Sequence, residues 1–93
     1  MTYDLAFKPG FVRDLNALHA EARGRVLAAI EALSADPTPE SSKALAGPLR
    51  GLRRLRVGSY RVAYVVDRRE RRISVLCAGP REGFYERVQR RMR

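Results

Sequence analysis

The chain has 93 residues, 45% apolar and 31% charged, which excludes disorder throughout and limits it to one modest core. One cysteine excludes an internal disulfide, and no apolar run approaches the roughly 20 residues of a membrane span. The net charge of +9 is one-sided: residues 1–49 hold 5 basic and 6 acidic side chains, and residues 50–93 hold 14 and 4.

The first segment, TYDLAF, alternates and predicts a short strand over 2–7 with Tyr3, Leu5 and Phe7 on one face. MTYDLAFK lacks the basic-then-apolar layout of a secretory signal, so a cytoplasmic location is expected. Pro9 suits a helix first turn, and Phe11, Leu15 and Leu18 recur at helical spacing, predicting a helix over 9–20. His19, the only histidine, is read as a surface or packing residue of that helix. Gly24 marks a connection, and Val26, Ile30 and Leu33 predict a second helix over 22–35, giving a helical hairpin. DPTPESS ends it, because Pro37 and Pro39 cannot continue the ladder.

KALAGPLRG then leads into LRRLRVGSYRVAYVVD, two apolar-alternating runs joined by Gly58-Ser59, a type II′ hairpin signal. DRRERR reads as a polar turn. ISVLCAG reads as the next strand, with Cys77 as a small buried hydrophobe. REGFYERVQRRMR can form a last helix. The order β-α-α-β-β-β-α over residues 1–93 predicts a single α+β domain. Its small sheet is mainly antiparallel, with the helical hairpin on one face.

A two-residue turn at 58–59 sets Val57 against Tyr60, Arg56 against Arg61, Leu55 against Val62, Arg54 against Ala63 and Arg53 against Tyr64. Leu55, Val57, Tyr60, Val62 and Tyr64 then share the core face, and Arg54, Arg56 and Arg61 the other. If the next turn centres between Arg69 and Glu70, Val62 faces Cys77 and Arg61 faces Ala78. Ile73, Val75 and Cys77 would join the core face, and Ala63 and Ala78 would leave room around Arg61. Arg81 follows directly. Arginine's planar fork suits phosphate, and like charges opposed across strands cost up to about 1 kcal/mol per pair. This cluster therefore reads as an anion site, with nucleic acid the first partner to consider.

LAGPLRGLRRLRVGSYRVAYVVD followed by ISVLCAGPREGFYERV resembles the RelE/ParE superfamily of bacterial toxins, specifically the RelE branch of ribosome-dependent mRNA interferases. The most specific elements are RLRVGSYRVAYVVD and the arginine-to-tyrosine spacing in GPREGFY. The resemblance implies a RelE-like fold and cleavage of mRNA in the ribosomal A site, with the 2′-hydroxyl attacking the adjacent phosphate. By position it implies Arg61 as the phosphate-binding arginine and Arg81 as the arginine assisting the leaving oxygen. Tyr85 would be the general base, also stacking on a nucleobase, and Arg54 and Arg56 would be RNA-binding. No metal or cofactor is implied. Arginine is a poor acid, with a pKa above about 12; its natural part is to stabilise charge on the phosphorane. A phenol surrounded by positive charge is favoured in its ionised form. Glu82 and Glu86 are alternative bases, or offset charge on the last helix through pairs such as Glu86 with Arg90.

The resemblance also implies a cognate antitoxin that covers the basic surface, and contact with operator DNA only through that antitoxin. Arg68, Arg69, Arg71, Arg72, Arg90, Arg91 and Arg93 would meet ribosomal RNA phosphates. Two features depart from the family. Pro80 stands before Arg81 where relatives often have histidine or lysine, and arginines replace hairpin lysines. Two other readings remain: a ParE-type inhibitor of DNA gyrase, and a catalytically weak homologue that binds RNA or the ribosome.

Overall fold

The computed structural model describes residues 2–92. Alternating apolar residues build three consecutive antiparallel strands, β3 (Arg53–Val57), β4 (Tyr60–Asp67) and β5 (Arg72–Pro80). Strand β1 (Asp4–Phe7) pairs in parallel with β5, and β2 (Ser42–Ala44) pairs antiparallel with β3, giving the order β1-β5-β4-β3-β2. Strand β2 is an addition to the expected order. At three residues it is too short to show a period in sequence, and its pairing supplies partners to one edge of β3.

The helical hairpin breaks earlier than Gly24. Helix α1 covers Pro9–Asn16 and α2 covers Ala20–Leu33, so Gly24 lies inside α2 and His19 lies outside the first helix. His19 is the N-cap of α2: its Nδ1 accepts the Ala22 N–H at 3.3 Å, satisfying a donor that the helix start leaves free. Gly24 costs roughly 1 kcal/mol within a helix. Burial of Val26, Ile30 and Leu33 on the opposite stripe outweighs it.

One sheet face meets α1 and α2 through Tyr3, Phe11, Val26, Ile30, Leu55, Val62, Tyr64, Ile73, Val75 and Ala78. The buried phenol of Tyr64 donates to the Pro37 carbonyl at 2.8 Å, tying down the chain that leaves α2. The other face carries a second, smaller core of Leu49, Leu52, Ala63, Cys77, Phe84 and Val88. It lies beneath a 3₁₀ turn (Gly47–Leu49) and the last helix, α3 (Phe84–Arg91).

The 58–59 register is as expected at all five pairs, with positive φ at Gly58 (61°) and not at Ser59, as a type II′ turn requires. The β4–β5 register departs from expectation. Tyr64 faces Val75, but a bulge at Leu76 sets Ala63 against Cys77, Val62 against Ala78 and Arg61 against Gly79. Cys77 therefore belongs to the second core and Ala78 to the first, the reverse of the expected assignment. The extra residue lets Leu76 and Cys77 both serve the side under α3. Burial, and then the Asp14 carboxylate, push the Cys77 thiol up to about 11, so it is inert near neutrality.

Gly58→Ala should destabilise the protein by about 1 kcal/mol, because a side chain is strained at that φ. At this length the midpoint of thermal unfolding should fall by roughly 4–8 °C.

Candidate functional site

Arg61 sits two residues beyond the hairpin turn, between Arg56 on β3 and Gly79 on β5. Its guanidinium donates back to the Gly58 and Tyr60 carbonyls, at 3.0 and 2.9 Å. These bonds hold the group at the turn, and among the described residues no carboxylate pairs with it. Arg81 leaves the end of β5, and its backbone N–H donates to the Ser59 carbonyl at 2.9 Å, so the same turn anchors both segments. Arg54 lies one row along the sheet, opposite Ala63 on one side and Lys43 on the other.

Electrostatics join these groups. Partial burial, then the positive charges of Arg54, Arg81 and Arg56, push Arg61 down from its ordinary value, while Tyr85 pulls the other way. Arg54, Arg56 and Arg61 share one face of the β3–β4 hairpin, Arg81 is bonded to its turn, and Tyr85 follows on α3. The surface differs from the open, alanine-lined one expected there, because Ala63 is fully buried beneath α3 and Ala78 faces the opposite core. Tyr85 stands at the rim on the first turn of α3, 44% exposed, its ring edge-on to the buried Phe84 at 5.7 Å between centroids. Gly83, with φ 72°, makes the sharp entry into α3 that separates Arg81 from Tyr85.

A second constellation was not anticipated from sequence. Asp14 on α1 has a side chain only 8% exposed. Its Oδ2 accepts the Ala78 N–H at 2.9 Å, and its Oδ1 faces Arg91 at 3.0 Å and Arg87 at 3.5 Å. Arg91 also donates to the Leu76 carbonyl at 3.2 Å. Strand β1 pairs with β5 only over Arg72–Val75, so these side chains satisfy the edge of β5 that β1 leaves open. Two glycines make the crossing possible. A Cβ at Gly10 would collide with the Arg91 guanidinium, and one at Gly79 would lie 3.0 Å from Arg87 Nε.

Arg91 is thus held at the β5 edge, not free for RNA, because a buried carboxylate attracts it more strongly than solvent does. Arg93 lies outside the described residues. The Glu86–Arg90 pair does not form; among the described residues both ion pairs use Asp14. The sequence did hold a signal for this network: Asp14 falls three residues after Phe11 and next to Leu15, an acid beside the apolar stripe of α1.

Four guanidinium groups with a phenol beside them can hold a phosphodiester and stabilise added negative charge on it. No group of three or more metal-ligating side chains gathers among the described residues. No helix among them is long and apolar enough to cross a membrane.

Residues 5–83 match the family model described as the ParE toxin of type II toxin–antitoxin system, parDE. No curated protein matches the chain by sequence at a significant level. Among solved structures, the chain is similar to the archaeal RelE–RelB complex from Pyrococcus horikoshii. They share 31% identity over 88% of this chain and 98% of that one, with a TM-score of 0.76. The RelBE2 toxin–antitoxin complex from Mycobacterium tuberculosis shares 27% identity over 86% of this chain and 99% of that one, with a TM-score of 0.78. A free mutant RelE toxin from E. coli, at 21% identity over 96% and 94% of the two chains and a TM-score of 0.77, shares the fold.

Proposed function

Because the chain belongs to the ParE toxin family of type II toxin–antitoxin systems, within the RelE/ParE superfamily, we propose that it is a ribosome-dependent endoribonuclease cutting mRNA in the A site. The observation that carries this reading is the gathering of arginines at one turn: Arg54, Arg56 and Arg61 share a face of the β3–β4 hairpin, Arg81 is bonded through its N–H to the Ser59 carbonyl, and Tyr85 follows on the first turn of α3. In the proposed reaction Tyr85 acts as the general base and takes the proton of the 2′-hydroxyl. The 2′-oxygen attacks the adjacent phosphorus, the bond to the 5′-oxygen breaks, and a cyclic phosphate and a free 5′-hydroxyl result. Arg61 and Arg54 hold the phosphate oxygens. Arg81 faces the leaving oxygen, which takes its proton from solvent, since arginine cannot give one up near neutrality.

Electrostatic stabilisation of the phosphorane and in-line positioning of the 2′-oxygen would each supply several kcal/mol. The ribosome contributes the positioning by splaying the codon, so free RNA is a poor substrate. Exposed Arg69, Arg72 and Arg90 meet ribosomal RNA phosphates, and the affinity falls with salt. A cognate antitoxin is the protein partner, and the relatives from Pyrococcus horikoshii and Mycobacterium tuberculosis, crystallised as toxin–antitoxin complexes, support it. Inhibition of DNA gyrase is the second reading, favoured by the match to the ParE model. The exposed phenol beside the arginine cluster favours the nuclease.

Tyr85→Phe removes a hydroxyl from an exposed ring and should leave the fold intact. Single-turnover cleavage on mRNA-programmed ribosomes should slow by about 100-fold, the low end for a general base. Wild-type speed would remove Tyr85 from the chemistry.

A further inference from the structure

At the end of β4 remote from the hairpin turn, a cavity of about 280 Å³ opens between the 44–53 segment and Val66. Arg61 and Val66 are five residues apart along one strand, roughly 17 Å, so this cavity is separate from the proposed cleavage site. Arg50, Arg53 and Arg68 line it, together with Leu45, Leu52 and Val66, and no carboxylate is among its lining residues. Arg53 donates to Ser42 Oγ at 2.9 Å, yet its buried Nε has no partner. Arg68 makes only a long contact of 3.4 Å to the Tyr3 hydroxyl. A guanidinium donor left unmade in a partly buried position costs stability, and three cations around one hollow repel one another.

We propose that this cavity is a docking site for an acidic side chain of a protein partner, its carboxylate taken by Arg50, Arg53 and Arg68 and its aliphatic stem resting on Leu52 and Val66. The volume falls just below the usual range of small-molecule sites and is enough for one anchoring side chain. The lining separates peptide from nucleic acid. A backbone phosphate would meet the arginines but bury none of the apolar floor, whereas glutamate beside leucine satisfies both. The charge sign agrees, since an acidic segment complements a +9 chain. The inference deepens the antitoxin reading given above and is independent of the cleavage chemistry.

The test is an NMR titration of the full chain with a blocked hexapeptide of alternating leucine and glutamate, and separately with a six-nucleotide oligouridylate and with inorganic phosphate. The peptide should shift the Leu45, Leu52 and Val66 methyl signals and the Arg53 Nε–H signal saturably. The R50A/R68A double variant, altered at two exposed positions, should weaken its binding at least tenfold. The Arg61→Ala variant should bind the peptide as wild type does, whether or not it cleaves RNA, so the two readings can fail separately. Absence of shifts at the cavity, shifts confined to the Arg61 end of the sheet, or equal shifts with oligouridylate or phosphate would each overturn the proposal.

Discussion

Arg61→Ala is expected to slow mRNA cleavage on programmed ribosomes by about 10³-fold, the upper range for removing one group aimed at developing oxyanion charge. The thermal midpoint should stay the same or rise slightly. Arg61 bonds only to carbonyls of its own turn, and those carbonyls are free to take water when it is removed. The substitution also removes a charge opposed to Arg56 across the strands, and such repulsion costs up to about 1 kcal/mol. The lowered pKa of Arg61 has the same sign: folding disfavours its charged form, and that charge is present in both states near neutrality. Lost activity without lost stability would mark the arginine as retained for a ligand. A fall in both would mark it as structural.

Asp14→Ala should have the largest effect on stability. It strips the Ala78 N–H of its acceptor and leaves Arg87 and Arg91 without their shared carboxylate. Breaking a buried pair from one side typically costs about 3–5 kcal/mol. The arginine side chains here are 37% and 30% exposed, so water recovers part of the loss and about 2–3 kcal/mol is expected. For a protein of this length the unfolding midpoint should drop by roughly 10–20 °C. Helix α3 should loosen, because Arg87 and Arg91 fasten it to α1 and the β5 edge. Since α3 carries Tyr85, cleavage should weaken at temperatures where the variant is still folded. Asp14→Asn, which keeps an acceptor for Ala78 but loses the charge, should fall between wild type and Asp14→Ala.

The 58–59 hairpin was legible because a two-residue turn admits one register, and that register placed Arg54, Arg56 and Arg61 on one face. The β5 bulge was not legible, because Leu76 and Cys77 are both apolar and neither pattern nor turn residue marks the insertion. The same slip hid which alanine lies under α3. The break between α1 and α2 was misplaced because glycine is the stronger punctuation in a sequence, while the true boundary is a histidine cap at His19, an uncommon choice. The Asp14 network was hidden by distance along the chain: its carboxylate meets partners on β5 and α3, and no local period reports a contact of that range.

The most direct measurement is to express the protein in growing cells and map the 5′ ends of cellular mRNA. Cleavage in the ribosomal A site predicts new 5′-hydroxyl ends concentrated inside translated codons, and their disappearance with Arg61→Ala. Intact transcripts alongside broken chromosomes would contradict it and assign the basic surface to gyrase.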